Sequence, residues 1–149
     1  MRSILTAAAA LMALPMLTAP ALAGDPDAGE ANFRQCASCH GIVDPDGNVT
    51  QRLAPTGPNL WGVVGRQAGA YEGYTRFSPS MVAAGEAGLT WDEESFVAFL
   101  DNQTGFLRAF LDDNSARSQM NHRLRGSAED LFAYLATFGA EDEEEEPES

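Results

Sequence analysis

The stretch Arg34-Gln35-Cys36-Ala37-Ser38-Cys39-His40-Gly41 holds both cysteines of this 149-residue chain, three positions apart, with a histidine directly behind them. Two cysteines do not make a disulfide framework, which in a small exported chain shows four, six or eight. A bond between these two would close a tiny loop and stabilise little. Structural zinc takes four protein ligands, so Cys36, Cys39 and His40 leave it one short, with only His122 or a carboxylate to complete the set. A dithiol redox motif normally sits at a helix start beside a βαβ unit, and no such unit is written in this chain.

A covalent haem uses every residue of the motif. Each thiol adds to one porphyrin vinyl group as a thioether, and the histidine after the second cysteine comes under the iron as an axial ligand. The amino terminus agrees with that chemistry. Arg2 precedes an apolar run from Ile4 to Leu17, and Ala21-Leu22-Ala23 has the small-x-small form of a signal-peptidase site. Residues 1–23 therefore read as a cleaved export signal, which Pro15 and Pro20 interrupt and which is short for a membrane span. Residues 24–140 read as one domain with a modest core, and a buried cofactor would help stabilise it. The product is expected to be soluble and periplasmic.

Charge narrows the partners. Without Arg2 the chain has 8 arginines, no lysine and 22 acids, a net of −14. Seven of those acids stand in residues 141–149, which read as an acidic, solvated, disordered tail. Nucleic acid is disfavoured as a partner, because phosphates require clustered positive charge. The one basic stretch is residues 114–127, with Arg117, Arg123 and Arg125 and no acid.

Three helices are expected. The first covers about Asp27 to Gln35 and sets Gly29 and Phe33 on one face. The second begins at a capping box of Thr90 and Glu93 and presents Phe96, Phe99 and Leu100. The third begins at Ser127, presents Leu131, Tyr134, Leu135 and Phe138, and stops near Gly139. Residues 41–70 carry so many glycines and prolines that no long regular element fits there, and a loop of that length in a compact domain packs around something. An all-α domain, three main helices with long loops around one covalently bound haem, is the expected fold. A second axial ligand then has three candidates, Met81, Met120 and His122, and the residue types alone do not choose among them.

The ordered motifs GEANFRQCASCHG, GPNLWGVVGRQAG, LTWDEESFVAFLDN, RSQM and AEDLFAYLATF resemble those of the class I cytochromes c, specifically the soluble bacterial kind similar to mitochondrial cytochrome c. The resemblance covers residues 26–138. It implies that Cys36 and Cys39 hold the haem, that His40 is the proximal ligand and that Met120 is the distal one. It implies further that the Pro58 carbonyl orients His40, and that Arg66, Trp91 and Ser118 stand near the haem propionates. Gly29 and Phe33 match the face where the first helix crosses the last at Leu131 and Tyr134.

Two positions depart from the family. Phe99 stands where a tyrosine hydroxyl usually approaches the methionine sulfur, and His122 stands where an aromatic commonly covers the haem. An exposed loop position is expected for His122, with a ligand switch at alkaline pH as the sharper alternative. The implied activity is one-electron carriage rather than enzymatic turnover, by a monomer with no small-molecule substrate. Its redox partners would be a cytochrome bc complex and a terminal oxidase or photosynthetic reaction centre. A haem subunit of a periplasmic oxidoreductase, or a dedicated electron donor or acceptor for one, is the alternative.

Overall fold

The computed structural model describes residues 23–139. The expected tail and all of the expected export signal except Ala23 lie outside them. The order is α1 (Pro26–Phe33), β1 (Ile42–Val43), β2 (Val49–Gln51), α2 (Pro79–Glu86), α3 (Glu93–Asp101), α4 (Gln103–Leu111) and α5 (Ala128–Leu135). The all-α expectation holds. The helix count among the described residues is five rather than three, and β1 and β2 form one short antiparallel hairpin inside the glycine-rich stretch.

Helix α1 starts where Asp25 accepts the amide N–H of Asp27 at 3.0 Å and Pro26 occupies the first turn. It lies against α5, whose cap is the expected one: the Ser127 hydroxyl accepts the Asp130 N–H at 3.0 Å. The crossing is close because Gly29 has no side chain. A Cβ there would fall 2.0 Å from the Asp130 carbonyl oxygen and 2.7 Å from Tyr134 Cβ. Phe33 fills the space beside it, its ring 5.8 Å from that of Tyr134.

Helix α3 corrects the expected capping box. Asp92, not Thr90, caps it by accepting the Ser95 N–H at 2.8 Å. Thr90 is occupied elsewhere, in an antiparallel bridge with Gln67. The buried face is as expected, with Phe96, Phe99 and Leu100 inside. Phe96 meets Phe132 of α5 at 5.4 Å, which joins α3 to the α1–α5 pair.

The two unexpected helices also carry ordinary start signals. Ser78 caps α2 and Pro79 opens it, while Asn102 caps α4 by accepting the Gly105 N–H at 2.9 Å. Leu107 is fully buried, and α4 stops at Asp112 in the left-handed region with φ 49°.

Replacing Gly29 by alanine should force α1 off α5 and cost about 1–3 kcal/mol, the usual range for an overpacked site. Denaturant unfolding of the purified protein measures it. An unchanged midpoint would mean that the crossing yields without cost.

Candidate functional site

The cysteine motif continues directly from the end of α1. The Phe33 carbonyl accepts the N–H groups of Cys36 at 2.8 Å and Ala37 at 3.1 Å. The Cys36 carbonyl in turn accepts those of Cys39 at 3.0 Å and His40 at 2.9 Å. Two successive tight turns thus bring both thiols and the imidazole to the wall of one cavity of about 630 Å³.

The imidazole is held from behind. Its Nδ1 lies 2.9 Å from the Pro58 carbonyl oxygen, which can only accept, so Nδ1 carries the proton and Nε2 keeps its lone pair. Gly57 makes this seat possible. Its N–H donates to the Cys39 carbonyl at 2.7 Å, and a Cβ on it would stand 2.6 Å from His40 Cε1. Burial is the main force lowering the His40 pKa. The Pro58 hydrogen bond opposes it, and charge on Arg66 and His122 adds to it. The ring is thereby kept in the neutral form that binds a metal.

The Cys36 thiol lacks the lowered pKa of a redox nucleophile. Cys36 is buried, and burial, with a smaller contribution from Cys39, pushes its thiol up to about 11. Catalytic dithiols require the opposite shift, because the thiolate is the attacking species.

The remaining expected residues gather at the same cavity. Pro58, Arg66, Trp91, Ser118 and Met120 all line it, as do the rival ligands Met81 and His122. The geometry therefore brings all three ligand candidates together without separating them. Trp91 is buried and packs on Phe99 at 5.1 Å. The Arg66 guanidinium donates to the carbonyls of Asn59 at 2.9 Å and Trp61 at 3.1 Å, so it also clamps its own loop. Ser118 Oγ is buried and has no hydrogen-bond partner.

His122 corrects the expectation of an exposed loop residue. It is half-buried, and its Nε2 is buried with no partner.

The cavity fits a haem. Its volume is within the usual range for cofactor sites. Val63, Phe96, Phe99, Leu100, Leu131 and Leu135 give it apolar walls. Among the described residues no aspartate or glutamate lines it, although the chain has 22 acids, while Arg66 and Arg76 do. Two buried propionates would find cations there, with no competing carboxylate.

Three contributors were not anticipated. Asn59 is buried and braces the hairpin, its Oδ1 accepting from the Val43 and Trp61 amides and its Nδ2 donating to the Val43 carbonyl. Tyr71 and Tyr74 line the cavity, with Arg66 4.8 Å over the Tyr71 ring and the Tyr74 hydroxyl donating to the Thr56 carbonyl at 2.7 Å. The available signal was a pair of aromatics in an otherwise glycine-rich loop.

No protein-family model matches the chain. It is 47% identical to cytochrome c-551 of Roseobacter denitrificans over 130 residues, covering 87% of this chain and 92% of that protein. It is also 47% identical to cytochrome c2 of Rhodovulum adriaticum over 125 residues, 82% of this chain and 98% of that one. The solved cytochrome c2 of Rhodobacter capsulatus superposes with a TM-score of 0.73 at 42% identity, over 76% of this chain and 97% of that structure.

Substituting Gly57 by alanine should drive the His40 ring off the Pro58 carbonyl and cost about 1–3 kcal/mol by overpacking. Guanidinium titration and the ferric visible spectrum read the two effects. If both stay unchanged, Gly57 does not set the ring position.

Proposed function

Because the chain belongs to the soluble class I cytochromes c, we propose that it is a monomeric periplasmic shuttle whose iron is held between His40 and Met120. It would take electrons from a cytochrome bc complex and deliver them to a terminal oxidase or a photosynthetic reaction centre. The protein carries haem c, attached through Cys36 and Cys39, and is an electron carrier rather than an enzyme. Haem c supplies the one-electron ferric/ferrous couple.

The polypeptide does the rest. His40 presents a neutral Nε2, fixed in direction by the Pro58 carbonyl. Met120 offers a thioether, which raises the potential relative to a second histidine. Arg66, Trp91 and Ser118 would satisfy the propionates. The apolar walls exclude water and so limit reorganisation when the charge on iron changes. No helix among the described residues is long and apolar enough to cross a membrane, and export rests on the signal read in residues 1–23. The observation that carries the proposal is the convergence of both thiols, the seated His40 and Met120 on one acid-free cavity.

Visible spectra of the oxidised and reduced protein test the ligation. A low-spin c-type spectrum with the weak long-wavelength sulfur–iron band, lost in Met120→Ala, is expected. Persistence of that band in the variant would assign the ligand to Met81, and its absence from the native protein would remove Met120 from the iron.

Docking is expected at the basic segment. Arg117, Arg123 and Arg125 are exposed, and Gln35, two residues past the end of α1, holds the segment by accepting the Arg125 N–H at 2.9 Å. Steering by such a patch weakens with salt. Neutralising Arg123 and Arg125 together should slow electron transfer to an acidic partner on the order of tenfold at low salt and flatten its salt dependence. Stopped-flow rates across an ionic-strength series decide it, and unchanged rates and slope would exclude the patch.

A further inference from the structure

We propose that His122 is a reserve ligand for the haem iron: when the Met120 sulfur leaves, the His122 imidazole takes its place, and the iron does not open to small molecules. This rests on the reading of the cavity as a haem site.

Four observations carry it. Burial alternates along the segment, with Met120, His122 and Leu124 half-buried and Asn121, Arg123 and Arg125 exposed. Met120 and His122 therefore turn to the same side, and both line the haem cavity.

The second is the state of the ring. His122 Nε2 is buried and has no hydrogen-bond partner. Leaving a buried polar atom in that condition is unfavourable, and native structures seldom carry one without a use. As the ring stands this nitrogen faces no open part of the cavity, so the imidazole must turn about its side-chain bonds to reach the iron, and it gives up no hydrogen bond in doing so.

The third is how the segment is tied down. The Gln103 side-chain amide donates to the His122 carbonyl at 2.9 Å and to the Leu100 carbonyl at 3.0 Å, and Gln103 is itself buried. On the other flank, the Ser118 N–H donates to Thr104 Oγ1 at 3.2 Å. Met120 thus lies between two anchors, and its side chain can swing away while the His122 backbone remains fixed to the start of α4.

The fourth is proximity to the opposite ligand. His40 and His122 line one cavity. The exchange itself balances simply. One sulfur lone pair leaves and one nitrogen lone pair arrives, with no change in oxidation state. A ring that began neutral releases no proton, and one that began protonated releases one to solvent.

The test uses the haem-loaded protein and compares Met120→Ala with the double variant Met120→Ala/His122→Phe. Met120→Leu, which keeps the side-chain volume, replaces alanine if truncation unfolds the segment. In the single variant, the ferric spectrum and electron paramagnetic resonance should show a low-spin iron with two nitrogen ligands, and the reduction potential should fall. Adding His122→Phe should turn the iron high-spin. An internal ligand that fills the position nine times in ten weakens an added one about tenfold, so azide should bind the double variant about tenfold more tightly than the single one.

A high-spin single variant overturns the proposal, as does a double variant with the spectrum and azide affinity of the single one. The native protein separates this failure from that of the ligation reading. A native sulfur–iron band followed by a high-spin Met120→Ala leaves His40/Met120 intact and removes only His122. A native protein with no such band, turned high-spin by His122→Phe alone, removes Met120 and makes His122 the resident ligand, which overturns its reserve role.

Discussion

The contact on which the site depends is the crossing of α1 and α5 at Gly29. The cysteine motif begins where α1 ends, so the direction of α1 sets the position of both thiols and of His40. The far side of the cavity is tied to the same helix. Gln35 accepts the Arg125 N–H and its side-chain amide donates to the Arg125 carbonyl, while Asn32 Nδ2 donates to the Ser127 carbonyl at 3.2 Å. One helix therefore positions the proximal motif and the segment that carries Met120 and His122. A shift of α1 would move both segments, which is why a missing methyl group at Gly29 matters to the geometry of the cavity.

Around that frame the chain separates its charges. It is strongly acidic, yet the cavity wall has two arginines, two histidines and no carboxylate among the described residues. Burial disfavours charge on the His40 imidazole and on the Cys36 thiol alike, holding both in their neutral forms. The acids stand elsewhere, in helix caps such as Asp25 and Asp92 and in the first turns of α3 and α5, where they meet the positive ends of the helices.

Local signals made part of this legible in the sequence. The α5 cap at Ser127 and the pairing of Gly29 with Phe33 were readable because each depends on residues within one turn. The cap of α3 was misplaced by two residues, because the bridge that occupies Thr90 comes from Gln67, distant in sequence. Helices α2 and α4 carried legible caps at Ser78 and Asn102, and Phe106, Leu107, Phe110 and Leu111 have helical spacing. Each is only eight or nine residues long, so its periodic signal spans little more than two turns. The burial of His122 could not be read at all, since it depends on Gln103 reaching 19 residues along the chain to hold its carbonyl.

The two departures from the family bear on one another. Phe99 packs between Trp91 at 5.1 Å and Phe106 at 6.0 Å, so its ring serves the core and offers no hydroxyl to the methionine sulfur. A thioether without that hydrogen bond is the more easily released ligand. In a carrier, release is harmful, because an open iron invites small molecules and side reactions. Under the proposed ligation, an imidazole two residues from the sulfur, on a backbone held by the buried Gln103 amide, would answer that weakness without restoring the hydroxyl. Under the same ligation, the nitrogen left unpartnered while Met120 is in place has no hydrogen bond to break when the sulfur leaves.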